Sequence, residues 1–324
     1  MNTLKVTTVH RTFETYFFEA FNFSYYNVMI KLAIQDGKLV ITIDGEKAFE
    51  EILKIFYKVY NLLFLILGGF PKVESLLENN VKLDTREWVK KYDTDSHFMI
   101  SEARLCEMSL KTINKTILDK MSDVHHQTLS SVEYIVCEYY SHIVTNHRIE
   151  LISHTIDGFL EHTIFYNQLL QQLKKSNPKK RKVDYIESVE RLFTCFIKLH
   201  QKYDCQILDC IHVQNEHEFY EIIADTRNDF SHFLESKSHR LIKGSDMVYF
   251  IDLIFYAERL FILTEIFGIS ISDVQAKEYM YILHDWIDEI VNQRSDRIKS
   301  ERYKKVLKAR EFNKVLNDIK KPNV

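Results

Sequence analysis

Glycine, proline and cysteine are all scarce in this chain of 324 residues. Seven glycines and three prolines give few points at which a helix must stop, so long helices are the natural prediction. The cysteines are odd in number and widely spaced, which excludes the disulfide framework of a small secreted domain. They are Cys106, Cys137, Cys195, Cys205 and Cys210.

Long hydrophobic runs are also missing. The most apolar stretch, residues 62–67, is far shorter than the roughly 20 residues of a membrane-spanning helix. Residues 1–15 lack the apolar segment of a signal peptide. We therefore expect a cytoplasmic protein without membrane association. The net charge of -3 gives no overall attraction to nucleic acid, so such binding would need local basic patches.

The first third of the sequence mixes strand and helix patterns. Residues 28–34 and 38–43 are rich in β-formers and flank Asp36-Gly37, a strong hairpin signal. Helices are predicted at 47–67, at 85–91 and at 109–121. We predict a small α+β N-terminal region with a β-hairpin over residues 1–130, which senses a trigger or recognises a substrate.

From residue 131 onward every segment predicts a helix, and the fold class is mainly α. Ser245 is the expected N-cap of an apolar helix that Gly268 ends. A helical bundle with a basic C-terminal helix is predicted over residues 131–324. Its helices are expected at 132–143, 148–173, 185–202, 219–234, 246–267, 273–292 and 296–318.

The helix predicted at 219–234 carries the most informative residues, Arg227-Asn228-Asp229-Phe230-Ser231-His232. Histidine titrates near neutral pH, and arginine binds phosphate in bidentate fashion. A base beside a phosphate clamp is what cleavage of an RNA backbone needs. A solvated polar helix face explains the same residues without any chemistry.

The helical wheel separates the motif residues. At about 100° per residue, Arg227 lies about 140° from His232 on a regular helix, at the flank of the polar face that holds Asn228 and His232. The two side chains can act together if the helix bends or ends near His232, if the long arginine reaches round, or if a second copy completes the site. The predicted core stripe is Phe219, Ile222, Ile223, Thr226, Phe230 and Phe233.

Residues 224–232 resemble the signature of the HEPN superfamily, in which arginine, a polar residue, three further residues and histidine follow one another. Asn228 occupies the polar position. The order of helices, and the stretch 263–269 at the end of the apolar helix, are similar to the C-terminal HEPN domains of ApeA-like phage-defence proteins. The resemblance covers residues 130–292; the N-terminal region matches only in general character.

This resemblance implies a homodimeric endoribonuclease that needs no metal or other cofactor. His232 would be the general base or acid, Arg227 would hold the scissile phosphate, and Asn228 would orient the histidine or bind phosphate. It also implies an antiviral, abortive-infection or toxin role, with an activating phage component or a regulatory partner. The alternative is a non-catalytic HEPN-like helical interaction module.

A weaker alternative is a zinc-dependent nucleic-acid binder. Cys205, Cys210, His212 and His217 are of metal-ligating types, but their spacing is not a standard zinc pattern. A loop leading into the motif helix explains them equally well.

Two basic segments are predicted to contact RNA phosphates. The run Lys179-Lys180-Arg181-Lys182 lies between two predicted helices, and it also reads as a nuclear localisation signal. The last predicted helix is strongly basic and includes Arg302 and Lys305. An ordinary solvated amphipathic helix accounts for the second segment equally well.

Overall fold

The computed structural model describes most of the N-terminal third and most of the helical half of the chain. The described residues are 1–9, 20–67, 71–84, 156, 160–161, 163–232, 241–242 and 246–292. The predicted helices at 85–91, 109–121, 132–143 and 296–318, the boundary near residue 130, and Ser245 lie outside them.

An antiparallel sheet occupies the N-terminal region, in the strand order β2-β3-β4-β1-β5-β6. The predicted β-hairpin is confirmed, because β3 and β4 pair with Gln35 opposite Lys38. Asp36 and Gly37 have φ values of 51° and 71°, as a tight two-residue turn requires. The strands are β1 Asn2–Val9, β2 Phe21–Tyr25, β3 Val28–Gln35, β4 Lys38–Gly45, β5 Lys72–Glu78 and β6 Val81–Lys82.

The sheet is larger than the sequence predicted. β1 lies between β4 and β5, and its residues Leu4, Val6 and Thr8 are fully buried. Their alternation with exposed or half-buried neighbours is the period of a strand. Threonines and a lysine interrupt the apolar pattern of β1, so it does not stand out locally. The predicted hairpin is therefore part of a six-stranded sheet.

Helix α1, Phe49–Leu67, agrees with the prediction for residues 47–67. It contacts β1 and β4 and buries Ile52, Phe56 and Phe64 completely. Burial of a large apolar side chain contributes about 1.5–3 kcal/mol relative to exposure, so this face of α1 supplies much of the core on the sheet.

The helical half contains the bundle that the sequence predicted. The predictions at 185–202, 219–234 and 273–292 are confirmed within a few residues at their ends. The short α4 was not predicted. The helices are α2 Ile164–Ser176, α3 Tyr185–Tyr203, α4 Ile207–Cys210, α5 Glu216–His232, α6 Asp246–Phe261 and α7 Asp273–Asn292.

Two predicted helices are interrupted. The prediction of one helix over 148–173 is wrong at Thr163, which has extended backbone angles of φ -109° and ψ 159° and caps α2. The predicted helix at 246–267 changes at Ile262 to a π-helical segment, Ile262–Ile266. Gly268 follows with φ 64°, which confirms its role as the residue that ends this helix.

The N-terminal and helical regions share one apolar core. The rings of Phe64 on α1 and Phe255 on α6 lie 6.1 Å apart. Close by, the fully buried Arg259 donates from Nε to the carbonyl of Leu65 at 2.5 Å. Among the described residues, no helix is long and apolar enough to cross a membrane.

Candidate functional site

Helix α5 is held in place from its first turn onward. Asn215 Oδ1 accepts the Glu218 amide at 3.0 Å, and Glu218 Oε2 accepts the Gln214 amide at 2.6 Å. These bonds satisfy amides that the first turn of a helix would otherwise leave without partners. The Phe219 ring then packs edge-on against Phe193 of α3 at 5.1 Å, which fixes the rotation of α5.

Thr226 links α5 by a hydrogen bond to Ile242, which follows the helix along the chain. Its hydroxyl donates to the Ile222 carbonyl at 2.6 Å and accepts the Ile242 amide at 3.0 Å. The side chain is 1% exposed, so both bonds are shielded from water and stronger for it. The residue directly before Arg227 is thereby fixed.

Arg227 lies at the flank of α5, as the wheel predicts, and is half-buried. Its guanidinium carbon is 5.0 Å from the centroid of the Tyr185 ring, in cation–π geometry. Nη1 donates to Asn228 Oδ1 at 3.2 Å. The buried Nε has no hydrogen-bond partner among the described residues. Such unpaired buried donors are rare and costly in proteins.

Among the described side chains of the predicted site, Asn228 is in direct contact with Arg227. His232 lies on the same helix, whose backbone is continuous from Glu216 to His232; its side chain is outside the described part. On a regular helix the positions of Arg227 and His232 are about 140° apart. The described part of α5 ends at His232, so an end of the helix there, the reach of the arginine and a second copy all stay predictions for how the site is completed.

The zinc alternative finds no support in the arrangement of its residues. Cys205 is buried, whereas His217 is exposed and lies 3.4 Å from Glu221. His212 occupies a left-handed turn with φ 57°. Throughout the described ranges, no three histidines, cysteines or carboxylates are placed to hold a metal ion. Cys205, Cys210, His212 and His217, the residues of the weaker zinc alternative, form no such group.

Cys210 instead contacts α7. Its Sγ lies 3.3 Å from His284 Nε2 and 3.8 Å from Asp288 Oδ1. Burial, followed by the nearby Asp288 carboxylate, raises the pKa of Cys210 to about 11. At neutral pH the group is a thiol, so it acts as a packed hydrogen-bonding side chain rather than as a nucleophile.

A cleft of about 620 Å³ opens beside α4 and the first turn of α5. Three carboxylates, Asp204, Asp209 and Glu216, line it together with His200 and His217. His200 Nε2 accepts the amides of Ile207 at 3.1 Å and Leu208 at 3.4 Å, and burial lowers the pKa of this imidazole. The cleft is acidic and lies toward the N-terminal end of α5, away from Arg227.

The predicted RNA-binding lysines and arginine at 179–182 lie in the turn between α2 and α3. Lys179, Arg181 and Lys182 are exposed. Lys180 differs from them, because its ammonium lies 2.5 Å from Asp184 and 2.9 Å from Glu187. Arg302 and Lys305 lie outside the described residues.

A second polar cluster links α3 to the π-helical segment. Arg191 pairs with Glu265 at 3.1 Å, and its guanidinium carbon lies 4.8 Å from the ring centroid of Phe165 and 5.0 Å from that of Phe261. Burial alone would raise the pKa of Glu265, but the hydrogen bonds from Cys195 and Arg191 outweigh it and lower the pKa. The cluster stabilises the helix irregularity, and no contact within the described part of the chain joins it to Arg227.

Tyr185 is the site residue that sequence reasoning missed. It is the first residue of α3, directly after the N-cap Asp184, which forms a capping box with Glu187. That capping pattern is visible in the sequence and locates the start of the helix. The contact with Arg227 is not visible there, because it joins two helices that are distant along the chain.

Comparison of the chain with protein-family models, with curated proteins and with solved structures finds no match.

Proposed function

We propose that this chain is a metal-independent endoribonuclease of the HEPN type. The supporting observation is the setting of Arg227: it is half-buried at the flank of a well-anchored helix, lies over Tyr185, contacts Asn228, and has an Nε without a described partner. An arginine fixed in this way is preorganised for a phosphate, because little conformational freedom is lost when the anion binds.

In the proposed reaction the imidazole of His232 removes the proton of a ribose 2′-hydroxyl. The 2′-oxygen attacks the adjacent phosphorus, while the 5′-oxygen leaves and takes up a proton from an acid. Arg227 binds the non-bridging oxygens as negative charge builds on them. Asn228 holds the guanidinium through its Oδ1. The products are a 2′,3′-cyclic phosphate and a 5′-hydroxyl.

We place the reaction in a homodimer. On a regular helix Arg227 and His232 would be about 140° apart, so one copy of α5 alone makes an awkward site. A second α5 facing the first would set the arginine of one copy against the histidine of the other. The proposal further assigns the protein to the cytoplasm as an antiviral or abortive-infection effector or toxin, released by a phage component or a regulatory partner.

The test uses purified protein with structured RNA in EDTA, comparing wild type with Arg227→Ala and His232→Ala. His217→Ala is the matched control, because His217 lies exposed on the same helix. We expect cleavage by wild type and His217→Ala only, with 5′-hydroxyl ends that polynucleotide kinase labels directly. Absence of cleavage, or cleavage that both site substitutions leave unchanged, contradicts the proposal.

A non-catalytic helical interaction module is the second candidate. The contact between Arg227 and Tyr185 favours it, because the same cation–π pair attaches α5 to α3. In that case Arg227→Ala lowers stability, and wild type and His232→Ala are equally toxic or equally harmless in cells. The two candidates therefore differ in the effect of His232→Ala.

A further inference from the structure

The last turn of α2 and the turn that connects α2 to α3 present a cluster of exposed cations. Their side chains form no ion pair or hydrogen bond with other residues in the described ranges, so their charges face solvent. We refer to them as the turn cations; they are Lys174, Lys175, Lys179, Arg181 and Lys182.

Lys180 has another role within the same turn. It lies between Asp184 and Glu187 at 2.5 and 2.9 Å, and hydrogen bonds to these carboxylates raise its pKa. The same two carboxylates form the capping box of α3. Lys180 therefore helps to neutralise the carboxylates that cap the helix, and the turn cations remain available to a ligand.

The turn has a defined shape. The Lys179 amide donates to Asn177 Oδ1 at 3.2 Å, and the Lys180 amide donates to the Asn177 carbonyl at 2.9 Å. Val183 is buried, and its amide donates to the Tyr166 hydroxyl at 3.3 Å. The backbone that carries the cations is thus preorganised, which lowers the entropic cost of binding an extended polyanion.

Tyr185 connects this turn to Arg227. The ring under the Arg227 guanidinium belongs to the third residue after Lys182. Three residues span at most about 10 Å, so the Cα atom of Lys182 lies within that distance of the Cα atom of the residue that carries the ring.

The opposite direction along α5 is acidic. Glu221 is exposed and Asp225 half-buried on the turns before Arg227. Beyond them lies the cleft with Asp204, Asp209 and Glu216. Of these, Glu216 is on α5, about 16 Å from Arg227 along the helix axis. These carboxylates repel a phosphate chain, whereas the turn cations attract it.

We infer that the turn cations, with Arg227 at one end, form the track for the phosphates of single-stranded RNA on one side of the scissile bond. The acidic end of α5 prevents the strand from continuing in the other direction on the same subunit. The track rests on the proposed RNA substrate. It adds two points to that proposal. The strand lies on the side of Arg227 that carries the turn cations, and Lys180 does not contact a phosphate.

The test is the salt dependence of binding of a fluorescein-labelled single-stranded RNA, measured by anisotropy in EDTA. All proteins carry His232→Ala so that the probe stays intact. The track variant is Lys179→Gln/Arg181→Gln/Lys182→Gln. The matched control, Lys54→Gln/Lys72→Gln/Lys82→Gln, removes the same charge from exposed positions in the N-terminal region.

Each phosphate contact contributes about 0.7 to the slope of log affinity against log salt for a single strand. We expect the slope of the track variant to be shallower by about 2, so that between 50 and 200 mM salt its affinity falls about 20-fold less than that of the parent. The control keeps the parental slope, and Lys180→Gln changes thermal stability without changing the slope.

Equal slopes for the track variant and the control overturn the track, and so does an absence of RNA binding by the parent. Cleavage is measured separately with His232 intact. If the track variant cleaves RNA at the wild-type kcat/KM, the track is overturned but the proposed nuclease activity is still supported. If the slope changes but the protein does not cleave RNA, the track is supported and the proposed nuclease activity is contradicted.

Discussion

The Arg227 guanidinium carbon lies 5.0 Å from the centroid of the Tyr185 ring, so the first residue of α3 positions the central side chain of α5. Neither helix determines this alone. The capping box of α3 sets where Tyr185 lies, and the packing of Phe219 on Phe193 sets the rotation of α5. The orientation of the proposed phosphate clamp is therefore a property of the interface between the two helices.

Tyr185→Leu removes the ring and should lower kcat/KM for RNA by about tenfold. A partly buried cation–π pair contributes about 1–2 kcal/mol, and about 1.4 kcal/mol corresponds to a factor of ten in rate. Tyr185→Phe keeps the ring and should retain most of the activity. Cleavage rates in EDTA measure both. A Phe variant as impaired as the Leu variant would contradict positioning by the ring.

Thr226→Val should destabilise the fold by about 1–3 kcal/mol, because the buried Ile242 amide loses its acceptor. Thr226→Ser keeps the hydroxyl and should lose less. Urea unfolding measures the difference. Equal stability of the Val variant and wild type would show that the contact between residue 242 and α5 contributes nothing.

His200 predicts a loss of stability in mild acid. Burial lowers its pKa in the folded protein, whereas an unfolded histidine titrates near 6.5. Its contribution is fully present above about pH 6.5 and is lost as the pH falls through that value toward the folded pKa, because the unfolded state takes up the proton first. The difference in unfolding free energy between wild type and His200→Gln should therefore shrink from pH 7.5 to pH 5.5. Parallel pH profiles would contradict this assignment.

Three cysteines should resist alkylation in the folded protein. Burial raises the pKa of Cys195, Cys205 and Cys210 to about 11 each, which reduces the reactive thiolate about 100-fold at neutral pH relative to an ordinary thiol. Iodoacetamide at pH 7.5 followed by peptide mapping measures each site. The same peptides in urea provide the reference rate, and a native thiol that matches it would be inconsistent with the burial described.

The parts of the fold that the sequence predicted are those with strong local signals. Asp36-Gly37 specifies its turn by backbone conformation alone, and α7 carries a helical period over all of Asp273–Asn292. β1 was missed because its threonines and lysine weaken the strand pattern, and its burial depends on two partners distant in sequence. The break at Thr163 has no glycine or proline to mark it.

The candidate site also has features that local sequence signals predict and features that they do not. Arg227, Asn228 and His232 follow from a short motif on one helix, and the flank position of Arg227 follows from the helical period. The contact with Tyr185 depends on how α3 packs against α5, which no local pattern encodes. The pairing of Lys180 with Asp184 and Glu187 has a local signal, since charges four residues apart commonly pair. The prediction from the sequence nevertheless treats the four cations of residues 179–182 as equivalent.

The hydrogen bond from Arg259 to the Leu65 carbonyl joins residues 194 positions apart. It bears on the order in which parts of the protein fold during synthesis. Synthesis proceeds from the N-terminus, so the sheet and α1 leave the ribosome long before α6 does. Until then the inner face of α1 lacks Phe255 and Leu65 lacks its guanidinium partner. Closing so long a loop is slow compared with forming the local helices. The core that supports α5 is therefore completed only after α6 has emerged.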